Sequence, residues 1–190
     1  MLVANLKIIP FSEKYHFIKE KQLTIRLHEH GLMRLIPISV TEELINSTNK
    51  IIFHALLNSS VYKEMFFDHY SQKSDDKHGP FLLSSMNPED YLEIDNNHLV
   101  EEIIQIVTSP KWSCPSITKE KLTNVKKLLN HLIDKEKNSF FLKKCLSFNV
   151  SSQEAIVYEH EWSHSLTSFY EYVLKDKKNS KIYLLIITYE

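Results

Sequence analysis

His160-Glu161-Trp162-Ser163-His164 is the stretch whose residue types and spacing can do chemistry. On a helix the two histidines stand one turn apart on one face, where both imidazoles can reach a single zinc ion. Glu161 between them is then placed as general base toward a metal-bound water. This reading makes His160 and His164 metal ligands and Glu161 the catalytic residue. On a strand the outcome differs, because the histidines share a face but lie about 13 Å apart at about 3.3 Å per residue. Ile156, Tyr158, His160, Trp162 and His164 then form one aromatic-rich face, and the histidines make ordinary hydrogen bonds. A second cluster, His28-Glu29-His30, has the spacing with which two strand histidines grip a metal from one side. His30 beside Gly31 also fits a turn.

The flanks extend the first string: Val157 and Tyr158 precede it, and Ser165 and Leu166 follow it. Over about ten residues this segment resembles the active-site helix of zincin metallopeptidases. The resemblance implies a zinc-dependent hydrolase with zinc as its cofactor. The chain departs from the pattern at the third ligand. No H-E-x-x-H-x-x-G-x-x-H extension exists, 26 residues follow His164, and Glu171 and Glu190 are the only glutamates among them. Glu171 would share the helix, and Glu190 ends the sequence.

Other chemistries are excluded by composition. Two glycines in 190 residues leave no phosphate-cradling or dinucleotide-binding loop, each of which needs several. No G-x-S-x-G nucleophile elbow occurs. Cys114 and Cys145 form no CxxC pair, and two thiols in a chain of this length suit a reducing compartment. A net charge of −1 supplies no field for nucleic acid or an anionic membrane. No apolar run reaches membrane-spanning length, and the apolar start is interrupted by Lys7. The expectation is a cytoplasmic protein. The charge is uneven. Residues 89–102 carry six acids and no Lys or Arg, whereas 119–144 hold eight lysines against three acids. Both stretches read as solvated helix faces, the acidic one also as a rim for a basic partner.

The elements that must position these residues read as one α+β domain over 1–190. Leu23–Leu27 and Leu32–Ile38 flank His30-Gly31 as a β-hairpin, with Gly31 expected to supply a positive φ in the turn. Central helices follow. One starts at Ser39–Glu42 or Thr41 and runs past Leu56, breaking near Asn58 and resuming through Val61. Asn87-Pro88 reads as a helix start, Leu99–Val107 as a helix, and Thr118 as the cap of an amphipathic helix through Ile133. The last fifty residues read as an antiparallel β-meander: Phe141–Phe148, Ala155–Ser163, Ser168–Lys175 and Lys181–Tyr189. A helix from Ser151, lined by Ala155, Trp162, Leu166, Phe169 and Val173, is the competing pattern.

By elimination, the expected function is that of a non-catalytic binding or accessory protein, of inhibitor or immunity type, acting on a protein partner. No cofactor is expected under this reading. Trp162, Tyr170 and Tyr172 are its candidate interface anchors. The zinc hydrolase of His160, Glu161 and His164 is the alternative.

Overall fold

The computed structural model describes residues 15–63, 77–109, 116–133, 138–142, 146–147 and 168–189. Its centre is an eight-stranded, wholly antiparallel sheet. In chain order the strands of this sheet are β1 Phe17–Lys19, β2 Leu23–His28, β3 Gly31–Val40, β6 Tyr91–Ile94, β7 Asn138–Leu142, β8 Leu146–Ser147, β9 Ser168–Asp176 and β10 Lys181–Tyr189. Across the sheet they run β1-β3-β10-β9-β7-β6, with β2 extending the β1 row along β3 and β8 extending the β7 row along β9. β4 Lys77–His78 and β5 Phe81–Leu82 form a separate small hairpin.

Helices cover both faces of the sheet. α1 Glu42–Ile45, α2 Asn49–Asn58 and α3 Ser60–Lys63 lie on one side. α4 Asn96–Thr108 and α5 Lys119–Leu132 lie on the other. The sequence of β10, Ile182-Tyr-Leu-Leu-Ile-Ile, requires this. A sheet with one solvated face alternates apolar and polar residues, whereas a strand buried on both faces is apolar throughout. Ile182, Leu184 and Ile186 enter the core under α1–α3, while Leu185 and Ile187 enter the core under α4 and α5. Each such side chain contributes about 1.5–3 kcal/mol of burial energy.

The expected α+β order is present: N-terminal strands, helices in the middle, and a C-terminal antiparallel hairpin of β9 and β10. The expected strand Ala155–Ser163 lies outside the described residues. Local chemistry sets the helix starts. The Thr118 hydroxyl accepts from the Lys121 N–H at 3.3 Å, and Asp95 Oδ1 accepts from the N–H groups of Asn97 and His98 at 2.8 and 3.3 Å. Thr41 caps α1, accepting from the Leu44 N–H. Ser39 does not cap it, because it lies within β3 and its hydroxyl donates to Glu20 Oε1. The single expected helix from Leu44 is divided at Asn46–Thr48, where the Thr48 hydroxyl caps a new helix through the Ile51 N–H.

Two expectations need correction. Asn87-Pro88 starts only a 3-10 turn, Pro88–Asp90, before the chain enters β6. Asp90 Oδ2 accepts from the Asn87 N–H at 2.7 Å and closes that turn on itself. Gly31 does not have a positive φ; it is the buried first residue of β3, after a turn at Glu29–His30. Its lack of a side chain is used for close approach, since a Cβ there would meet the His28 ring at 2.6 Å and the Tyr189 ring at 2.9 Å.

Candidate functional site

In β9 the two-residue period sends Phe169, Glu171 and Val173 into the core under α1–α3 and Tyr172 and Leu174 into the opposite one. Glu171 is therefore an acid at the centre of an apolar face, with no exposed surface. A lone carboxylate there would cost many kcal/mol, so the fold must supply partners. It supplies three, from three separate elements. His78 of β4 places Nε2 against Glu171 Oε2. Tyr62 of α3 and Tyr91 of β6 donate to Glu171 Oε1 at 2.9 and 2.8 Å, and the two hydroxyls lie 2.6 Å apart.

Each partner is held by its own packing. The Tyr62 ring stacks on the His78 ring, with centroids 3.7 Å apart and 11° between planes. Tyr91 stacks on Phe53 of α2 at 4.3 Å, and Phe169 meets the His78 ring edge-on. His78 is followed by Gly79, whose φ of +55° is the conformation that glycine adopts freely. With Pro80 next, whose ring fixes a negative φ, this matches the first two central positions of a type II′ hairpin turn. A Cβ on Gly79 would lie 2.5 Å from the Phe169 ring. The glycine thus lets the hairpin carrying His78 settle onto β9.

Donor and acceptor roles follow from the atoms. His78 Nδ1 lies 3.2 Å from the Tyr62 backbone carbonyl, which can only accept, so Nδ1 carries a hydrogen. One further proton sits between Nε2 and Oε2. The histidine and glutamate together are therefore neutral, whichever atom holds it. Burial, and then the neighbouring Glu171 carboxylate, push the Tyr62 hydroxyl well above its ordinary pKa, so it stays a donor. Around Oε1 three oxygen–oxygen contacts share two phenolic hydrogens. The members of the quartet satisfy one another, and the two carboxylate oxygens bind α3 and β4 to the sheet and tie its β6 edge back to β9.

A second buried histidine, His28, behaves differently. Its Nδ1 accepts from the His30 N–H at 3.0 Å, so the ring hydrogen is on Nε2, which is buried and without a hydrogen-bond partner among the described residues. The ring stacks against Tyr189 at 5.2 Å. Burial foremost, with His30 and Lys121 nearby, lowers its pKa. His30 is exposed, so the two histidines of the H-x-H string occupy different environments. Among the described residues no three His, Cys, Asp or Glu side chains gather as a metal site requires.

His160, Glu161, Trp162 and His164 lie outside the described residues. Tyr170 is half-buried, and the Tyr172 ring is fully buried beneath α4, with its hydroxyl donating to Glu102 Oε1 at 2.8 Å. Much of the acidic run is engaged within the molecule. Glu89 pairs with Lys50 at 2.7 Å, Asp90 closes its turn, Asp95 caps α4 and Glu102 receives Tyr172. The quartet was not anticipated from sequence, because Tyr62, His78 and Tyr91 lie 80 to 109 residues from Glu171. One signal was present: Glu171 is the only charged residue between Phe169 and Leu174, at an inward position of a strand that is otherwise apolar on that face as far as Val173. No family model matches the chain, and no curated protein or solved structure is significantly similar to it.

Proposed function

We propose that this chain is a non-catalytic binding protein of the cytoplasm, acting on a protein partner in the manner of an inhibitor or accessory factor. The observation that carries this reading is the exposed apolar margin of the sheet. Ile18 and Leu23, on the outermost strand row, keep 64% and 46% of their surface exposed. Together they offer apolar contact area on the edge of the sheet. The saturated quartet supports the same reading. A carboxylate, an imidazole and two phenols that satisfy one another in a core act on the fold, fastening α3 and the β4–β5 hairpin to the sheet. The two cysteines of the sequence, Cys114 and Cys145, form no CxxC spacing, which supports the reducing compartment. No helix among the described residues is long and apolar enough to cross a membrane.

The test is affinity capture from the native source, quantified for the natural chain beside an Ile18→Lys/Leu23→Lys variant, together with metal analysis of the purified chain. A protein recovered in near-stoichiometric amount with the natural chain and lost with the variant is the expected result. Near-stoichiometric zinc that vanishes in a His160→Ala/His164→Ala variant, with hydrolysis abolished by Glu161→Gln, would overturn it.

A further inference from the structure

The outer strand row is two-sided. Residues directly opposite in an antiparallel pair project to the same face, so the register along β3 assigns each side chain. Ile18 opposes Ser39, Leu23 opposes Leu35 and Ile25 opposes Met33, which puts all three on the α4–α5 face, where Leu35 and Met33 are core. Lys19 opposes Ile38, Thr24 opposes Arg34 and Arg26 opposes Leu32, which puts these on the other face. At Leu23 and Ile25 the first side is apolar, with half-buried Pro37 and Tyr183 behind it, and beside Ile18 it also carries the Glu20–Lys181 ion pair held on Ser39; the other side exposes Lys19 and Arg26. Lys19, Thr24 and Arg26 are all exposed. Among the described residues β2 has a strand neighbour on one side only. Its far end is closed, since Lys121 Nζ donates to the Leu27 carbonyl at 3.3 Å.

An unpaired strand edge recruits another strand through its backbone groups, and the side chains at alternate positions select which strand. From the segregation of apolar and cationic side chains we infer that the Leu23–Arg26 edge, continued by Ile18 and Lys19, docks an extended partner segment in which apolar and acidic residues alternate. The apolar residues of that segment lie beside Leu23 and Ile25, and its carboxylates lie beside Lys19 and Arg26. This rests on the proposed binding function and names the partner's chemistry. A second copy of this chain fits poorly, because antiparallel pairing of two such edges would gather Lys19 and Arg26 of both copies on one face.

The probe is an eight-residue peptide of alternating valine and glutamate, titrated into the isotopically labelled full chain and followed by amide chemical shifts. The expected result is shifts confined to Ile18–Lys19 and Leu23–Arg26. Affinity is expected to fall at least about tenfold, or about 1.4 kcal/mol, when lysine replaces glutamate in the peptide. Leu23→Glu and, separately, Lys19→Glu/Arg26→Glu should each weaken binding similarly. All three side chains are exposed, so the second variant decides the matter if the first folds poorly. No shift, shifts elsewhere, or equal affinity for the lysine peptide would overturn the assignment. So would a dimer of the free chain that Leu23→Glu dissolves. A captured natural partner that cross-links only outside residues 18–26 would end the edge assignment while leaving the binding function intact. Peptide binding at the edge with no natural partner recovered would do the reverse.

Discussion

On one side of the sheet two phenols converge on a carboxylate in the middle of the core, and on the other two phenols reach outward to the helix that covers them. Tyr62 and Tyr91 meet Glu171 where no surface is exposed. Tyr172 and Tyr189 bury their rings and hand their hydroxyls to α4, at Glu102 Oε1 and at the Ile106 carbonyl, 2.8 and 3.0 Å away. The outward arrangement asks little of the fold, because a tyrosine's apolar body is buried and its polar tip finds a partner at the rim. The central arrangement depends on its hub, since Glu171 is the acceptor that all three partners share. The first side therefore adds a few specific polar contacts among distant residues to its apolar core, whereas the second is held by apolar stripes on long helices with its polar contacts at the rim.

That contrast is broken most severely by removing its hub. Glu171→Leu leaves two phenols and an imidazole buried without their acceptor and should cost about 3–5 kcal/mol in denaturant unfolding. Tyr62→Phe takes one donor from Glu171 where no water can replace it and should cost about 1.5–3 kcal/mol. Gly79→Ala combines a left-handed backbone with contact on the Phe169 ring, and roughly 1–3 kcal/mol is expected from thermal or chemical unfolding. Tyr172→Phe, on the other side, should cost only about 0.5–1.5 kcal/mol, because its acceptor Glu102 is half-exposed and water weakens and replaces the bond. A Tyr172→Phe loss equal to that of Tyr62→Phe would erase the distinction between the two sides.

The smallest effect concerns pH. The folded chain holds His28 below its ordinary value of 6.5, because burial disfavours the charged ring. The unfolded chain therefore takes up a proton that the native state refuses as pH falls through 6.5, and stability declines with falling pH in that window. A His28→Gln variant should show a shallower decline in unfolding midpoint between pH 7 and pH 5.

Much of the fold was legible in the sequence where a signal was local. The apolar run of β10, the Thr118 cap with Val125, Leu129 and Leu132 behind it, and the hairpin strands around Gly31 are all written within single elements. Failures came where two local signals competed. Asn87-Pro88 satisfies a helix start, but Asp90 closes the turn early and Tyr91 is drawn into the sheet, where it stacks on Phe53. Gly31 suits a positive φ by type, yet its neighbours His28 and Tyr189 explain it by crowding, and Tyr189 is distant in sequence. The quartet is the extreme case. Nothing near Tyr62 or His78 announces Glu171, and only the acid's own place on an apolar strand face hinted that partners must exist.

The proposed division of labour is that the quartet fastens a layer and the strand edge meets a protein partner. Its most direct test measures Tyr62→Phe twice, once for unfolding free energy and once for affinity toward the captured partner, at a temperature where the variant is folded. The account predicts a clear loss of stability with affinity unchanged. Intact stability with binding lost, or with a turnover abolished, would make the quartet itself the functional site and contradict the account.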